Sequence, residues 1–188
     1  IGFITMASRG EPLLAKDLPT MLDYINGKFL TVKLNTNASM LNEKIIHNIL
    51  SSGVNTVVFS ADAAEENLYS RLRVNGSLNK TLQNIELFSE IKGKQYSDSK
   101  LITRVSGVMY DRKNQDLDSM VKLWSSMVDQ ISFVNYCPWE NIYKAEPNNI
   151  KEPCSDLWRR MFVWFDGSVN PCDNDYKSIL TLGSIENN

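Results

Sequence analysis

Histidine occurs once in this 188-residue chain, at His47, and cysteine three times, at Cys137, Cys154 and Cys172. A single histidine leaves no room for a multi-histidine zinc site, and its place in an amphipathic helical pattern marks it as structural. Three cysteines do not close a disulfide framework on their own. Basic residues are not in excess: 20 Lys and Arg face 22 Asp and Glu, so the formal net charge is -2 and a basic nucleic-acid-binding face is not expected. No apolar run reaches the roughly 18 residues of a membrane span, and the first residues, IGFITMASRG, carry neither a basic flank nor a cleavage site for secretion. The expectation is a soluble, cytoplasmic protein that binds neither nucleic acid nor membrane. Two phosphate-binding signatures are also missing, since no G-x-G-x-x-G follows a strand and no G-x-x-x-x-G-K-[ST] occurs.

What is present is alternation. Apolar strand-like runs at 1–5, 29–34, 55–60, 101–109 and 131–136 are separated by helical stripes. The stripes are Leu18, Met21, Leu22 and Ile25; Leu41, Ile45, Ile46, Ile49 and Leu50; Leu78, Leu82, Ile85, Phe88 and Ile91; and Leu117, Met120, Val121, Trp124, Met127 and Val128. The third connection is long or broken. Units of roughly thirty residues in this order predict right-handed crossovers and a parallel sheet. Without the nucleotide-binding marks of an open sheet, a barrel is the preferred reading, and five strands do not close one. The fold class is therefore α/β, a partial barrel over 1–136. Residues 137–153 lose the periodicity, and Asp166-Gly167 then sits between two short strand-like runs as a hairpin signal. The tail TLGSIENN is expected to end without a closing element.

In parallel α/β folds, working residues gather just past the carboxyl ends of the strands. Those ends carry Ser8, Arg9, Gly10, Glu11 and Pro12; Asn35, Thr36 and Asn37; Ser60 and Asp62; Arg104 and Ser106; and Asn135, Tyr136 and Cys137. All are suited to a polar small molecule. Gly10 frees a backbone turn whose carbonyls suit an ammonium group, and Arg71 and Arg73 are candidates to clamp a carboxylate. Glu11 and Asp62 are a candidate carboxylate pair or, equally, two solvated charges. Cys154 and Cys172 bracket the hairpin as C-x12-G-x4-C, a spacing that allows the two thiols to be neighbours, either as half of a metal site or as a pair of buried free cysteines.

Taken in order, S-R-G-E-P-L-L, N-T-N-A-S-M-L, V-V-F-S-A-D-A, Y-S-R-L-R-V-N-G-S-L-N-K-T-L-Q-N-I and P-C-S-D-L-W-R-R-M-F-V-W-F-D-G-S-V-N-P-C-D make the chain resemble a radical SAM enzyme of the SPASM or twitch group. The resemblance implies a partial (β/α)6 barrel, a [4Fe-4S] cluster on a C-x3-C-x2-C loop, and reductive cleavage of S-adenosylmethionine to a 5'-deoxyadenosyl radical that abstracts hydrogen. Arg9, Gly10 and Glu11 fall on the family's G-G-E motif, which meets the methionine amino group of SAM; Arg9 replaces its first glycine. Thr36, Asn37 and Ala38 match the T-N-G stretch. Ser60 and Asp62 match the S-x-D near SAM's ribose and carboxylate, and Arg73 resembles the arginine of the Y-x-x-x-R segment. Cys154, Gly167 and Cys172 match the opening of the auxiliary-cluster domain.

The sequence also departs from the pattern, because it contains no C-x3-C-x2-C and none of the later SPASM cysteines. Counting the strands from the family's second accounts for this, so the chain reads as a segment cut from a longer one, with 1–136 as barrel and 137–188 as linker plus a truncated SPASM-like hairpin. The resemblance implies an enzyme in the longer parent, inactivity of the segment alone, an external electron donor such as flavodoxin or ferredoxin, and a small-molecule or peptide substrate of unspecified kind. The alternative is a degenerate barrel kept as a binding or scaffold module. A hydrolase-like domain with zinc at the cysteines lacks a second histidine and any Ser-His-acid set.

Overall fold

The computed structural model describes residues 2–7, 9–144 and 151–186, so Ile1 and Ser8 lie outside the described residues. It divides into two compact units, 1–136 and 137–188. In the first, β1 (Phe3–Met6), β2 (Thr31–Thr36), β3 (Thr56–Ser60), β4 (Ile102–Met109) and β5 (Gln130–Asn135) form one parallel sheet in chain order. Between them run α1 (Leu18–Ile25), α2 (Glu43–Ser51), α3 (Glu66–Leu72), α4 (Leu78–Gln95) and α5 (Leu117–Trp124). The expected parallel partial barrel is thus what the chain forms. Its long third connection is two helices, broken at Arg73–Gly76, where Asn75 takes a positive φ of 64°. Glu66 of α3 spans the break by accepting from the first backbone N–H groups of α4, Leu78 and Asn79, at 3.2 and 3.0 Å.

Every helix packs on the same side. Leu22, Ile46, Ile49, Ile85, Phe88, Met120 and Trp124 bury their apolar stripes against Val32, Leu34, Val57, Phe59 and Val105 of the strands. Because strand residues alternate in direction, the opposite set, including Lys33, Ser60, Arg104 and Ser106, stands on the face that no helix covers. Met120 and Trp124 are both wholly buried, and removing a side chain of the size of Trp124 costs about 3 to 5 kcal/mol. Asn55 stitches the sheet at its amino edge: its side-chain oxygen accepts from Val32 N at 2.7 Å, and its carbonyl from Ile102 N at 2.8 Å.

The second unit holds β6 (Phe162–Val163), β7 (Ser168–Asn170) and β8 (Gly183–Ser184), antiparallel and in that order. Gly167 has a φ of 78° in the hairpin turn, as the Asp-Gly pair predicts. The tail does not fade out. β8 closes the small sheet on β7, a two-residue pairing too short to leave a pattern in sequence. Asp175, buried, collects the backbone N–H groups of Ile179 and Leu180 at 2.9 and 2.7 Å and the Tyr143 hydroxyl at 2.5 Å, and so folds the segment ahead of β8.

One glycine in the sheet is dictated by close approach. A Cβ on Gly107 of β4 would lie 2.9 Å from the carbonyl oxygen of Ala61 and 3.0 Å from Met120 Cε. The methionine tip can move, but the backbone oxygen cannot do so without displacing the loop after β3. Gly107→Ala is expected to lower stability by about 1 to 3 kcal/mol, net of the smaller gain from a stiffer unfolded chain, and a urea midpoint unchanged from the parent protein would contradict this packing.

Candidate functional site

The parallel register puts the carboxyl ends of β1, β2 and β3 side by side, so the stretches around Gly10, Asn37 and Asp62 share one rim. Gly10 has a φ of 130°, a conformation that L side chains rarely adopt, and the place where a Cβ would stand is open, with no atom within 4 Å. Glu11 follows it and is fully engaged. Its Oε1 accepts from Leu13 N at 3.1 Å and from Thr36 Oγ1 at 2.6 Å, and its Oε2 from Asn37 N at 2.7 Å. Thr36, itself buried, passes the arrangement on by accepting from Ala38 N at 3.0 Å. Glu11 is therefore a staple between the end of β1 and the end of β2. Ala38, at the third position of the T-N-G match, adopts the glycine-like φ of 61° with its methyl group buried.

Asp62 is only 8% exposed, and its carboxylate is also committed. One oxygen accepts from Val108 N at 2.7 Å; the other pairs with Arg73 Nη2 at 2.8 Å. Gln115, which the motif reading did not single out, holds the same loop from below. Its Nε2 donates to the carbonyls of Asp62 and Val108 at 2.6 and 2.8 Å, and its Oε1 accepts from Asp111 N. Nothing local in the sequence marks Gln115, because the two carbonyls it holds are 53 and 7 residues away in sequence.

Glu11 and Asp62 do not act as a pair on each other; each carboxylate has its own protein partners. The two arginines part company as well: Arg73 holds Asp62, while Arg71, largely exposed, reaches Asp111 at 3.8 Å. The Nε of Arg73 is buried with no hydrogen-bond partner, a donor that costs stability until an acceptor reaches it. Asn37, Asp62 and Arg73 line a cleft of about 550 Å³ with Ser39, Tyr69 and Lys80. Burial pushes the Tyr69 phenol up, against the opposing hydrogen bond with Thr81, so this ring stays neutral at the cleft wall. Arg9, Gly10, Glu11, Thr36 and Ser60 belong to the rim but do not line that cleft. The Ser60 hydroxyl is bonded by no described protein group.

These features fit the amino-acid part of SAM: an open glycine backbone for the ammonium, an unsatisfied guanidinium N–H for the carboxylate, and an unbonded hydroxyl at the end of β3. The iron-sulfur cluster is a different matter. The cysteines lie at 137, 154 and 172, all unbridged, with Cys154 exposed and Cys172 partly buried. Among the described residues no three His, Cys, Asp or Glu side chains converge to hold a metal. The described residues do not supply a complete cluster site. Among the described residues no helix is long and apolar enough to cross a membrane.

The staple at Glu11 yields a stability test. Glu11→Ala strands the buried Thr36 hydroxyl and two backbone donors, and is expected to cost about 2 kcal/mol in chemical denaturation. A loss below about 0.5 kcal/mol would mean that water replaces the carboxylate at no cost.

Residues 4–123 match the radical SAM superfamily model. A probable GTP 3',8-cyclase of Methanococcus maripaludis is 32% identical over 85 residues, covering 45% of this chain and 28% of that protein. Streptococcus suis SuiB bound to precursor peptide SuiA superposes with a TM-score of 0.59 at 17% identity, over 73% of this chain and 29% of that one. TYW1 with a lysine-pyruvate adduct bound does so at 0.55 and 18%, over 72% of this chain and 42% of that one. At such identities the structural likeness speaks for the fold alone, and this chain spans less than half the length of each relative. The family match covers well over half of the chain, and the chain belongs to the radical SAM superfamily.

Proposed function

We propose that this chain is the SAM-binding part of a radical SAM enzyme of the SPASM or twitch group. The observation that carries the reading is the shared rim, where an open Gly10, the stapled 36–38 turn and the Asp62–Arg73 pair meet at adjacent strand ends. In this reading the backbone at Arg9 and Gly10 accepts from the methionine ammonium, Arg73 binds the carboxylate through its unpartnered Nε, and Ser60 donates to the ribose or carboxylate. Thr36, Asn37, Glu11 and Asp62 hold those groups in place. SAM supplies, on reduction of its sulfonium, the 5'-deoxyadenosyl radical that abstracts hydrogen from a substrate. The cluster cysteines belong, on this proposal, to sequence outside these 188 residues, in a cytoplasmic parent reduced by flavodoxin or ferredoxin.

The substrate is a small molecule or a peptide. The cyclase relative and the SuiA-bound SuiB support one choice each, and the identities favour neither. Cys154 and Cys172 are proposed as two ligands of an auxiliary [4Fe-4S] cluster, supported by the hairpin between them and by their free thiols.

Binding is tested on the chain itself with S-adenosylhomocysteine, which is unreactive. Calorimetry is expected to show saturable binding that falls at least tenfold in Ser60→Ala, while the melting temperature stays unchanged because that hydroxyl has no protein partner. Equal binding by parent and variant would remove Ser60 from the site. With dithionite, a longer chain carrying C-x3-C-x2-C is expected to release 5'-deoxyadenosine, and the 188 residues alone are not. A cluster-loaded longer chain that releases none refutes the radical mechanism.

The auxiliary site is tested by anaerobic iron and sulfide reconstitution. Bound iron is expected to drop in Cys154→Ala and in Cys172→Ala; iron content unaffected by either change excludes these thiols as ligands.

A further inference from the structure

Gln115 is 4% exposed and is not one of the residues that line the cleft, yet every hydrogen-bonding group of its side chain is in use. Its amide nitrogen carries two hydrogens, and they go to two carbonyls, Asp62 O at 2.6 Å and Val108 O at 2.8 Å. The amide oxygen accepts from Asp111 N at 2.6 Å, and the backbone N–H of Gln115 donates to Asp111 O at 2.8 Å. Asp116, the next residue, caps α5 by accepting from Asp118 N and Ser119 N at 3.0 and 3.3 Å. The side chain is thus aimed from a backbone fixed on both sides, where an amide of this length supplies two donors and one acceptor at once.

What these bonds fix is the residue that holds Arg73. Asp62 is tied to β4 twice, through its carbonyl by way of Gln115 and through one carboxylate oxygen, which accepts from Val108 N at 2.7 Å. Its other carboxylate oxygen then faces Arg73 Nη2 at 2.8 Å. Arg73 ends α3, and this pairing draws its long side chain back to the strand ends. Nε is left buried with no acceptor. A guanidinium that is already desolvated and oriented meets a carboxylate without first ordering its own side chain, which lowers the entropy cost of binding.

We infer that Gln115 is a positioning residue for the amino-acid end of the ligand: through Asp62 it holds Arg73 Nε where the carboxylate of S-adenosylmethionine reaches it. The identity of that ligand rests on the radical SAM reading; the run of contacts from Gln115 to Arg73 does not. Gln115→Met keeps the length of the side chain but strands two carbonyls, so the loop after β3 moves to find water and takes Asp62 and Arg73 with it. The 36–38 turn is held separately by Glu11 and keeps its place. The loss therefore falls on the carboxylate and spares the rest of the ligand.

Titration calorimetry on the 188-residue protein compares S-adenosylhomocysteine with 5'-methylthioadenosine, which has the same adenosine and thioether but neither amino nor carboxylate group. Gln115→Met is expected to weaken S-adenosylhomocysteine about tenfold, the worth of one hydrogen bond to a charged group, and 5'-methylthioadenosine less than about twofold. Arg73→Gln is expected to give the same pattern, and the double variant to lose no more than Arg73→Gln alone, because the two residues act in series. Equal losses for the two ligands, or no loss for either, overturn the inference. Where Gln115→Met does not melt cooperatively, Gln115→Asn, an amide one methylene short, carries the same comparison.

A second readout needs no ligand. In the unaltered protein the Arg73 Nε–H resonance is expected to exchange slowly with solvent, and in the Gln115 variants several-fold faster, while the Asn37 amide bonded to Glu11 stays as slow as before. Exchange that rises at both groups, or at neither, overturns the positioning role. If the unaltered protein binds neither ligand, the SAM reading fails, and the exchange result still decides whether Gln115 holds Arg73.

Discussion

The loop after β3 lies across the carboxyl end of β4, and the rim takes its shape from that crossing. It needs the missing side chain of Gly107, because the Ala61 carbonyl occupies the place where a Cβ would be. It needs Gln115, which gathers the carbonyls of Asp62 and Val108 with one amide. Asp62 then completes the clasp by accepting from Val108 N on one side and pairing with Arg73 on the other. With the loop held this way, Arg73 is drawn back from the α3–α4 break to the strand ends, and the cleft has its wall.

Charged groups on this rim are mostly spent on architecture. Glu11 and Asp62 look like chemical carboxylates in a motif reading, yet each satisfies buried donors that would otherwise be stranded, which is the more expensive condition to leave unmet. The groups left for a ligand are those with no protein partner: the open backbone at Gly10, Nε of Arg73, and the hydroxyl of Ser60.

The fold was legible in sequence because its periods are long and clean. Five apolar runs separated by four helical stripes leave few topologies once crossovers must be right-handed. The observed strands start and end within two residues of those runs, as with Thr31–Thr36 against 29–34. Short pairings left no such trace: β8 rests on two residues, and the break between α3 and α4 is set by Asn75 at positive φ and by the close approach of Gly76 to Arg73.

From the sequence alone came the α/β alternation, the parallel sheet, and the places along the chain where polar residues meet strand ends, all consequences of local periodicity and chain-reversal rules. Only the tertiary structure decided which of those residues are already bonded. Glu11 finds its partners 25 and 26 residues away, and Asp62 finds Val108 46 residues away. The row of Ser60, Ser106 and Ser132 likewise exists only once three strands are in register. Hydrogen bonds and cross-strand rows join residues by distance in space, and a linear pattern records distance along the chain.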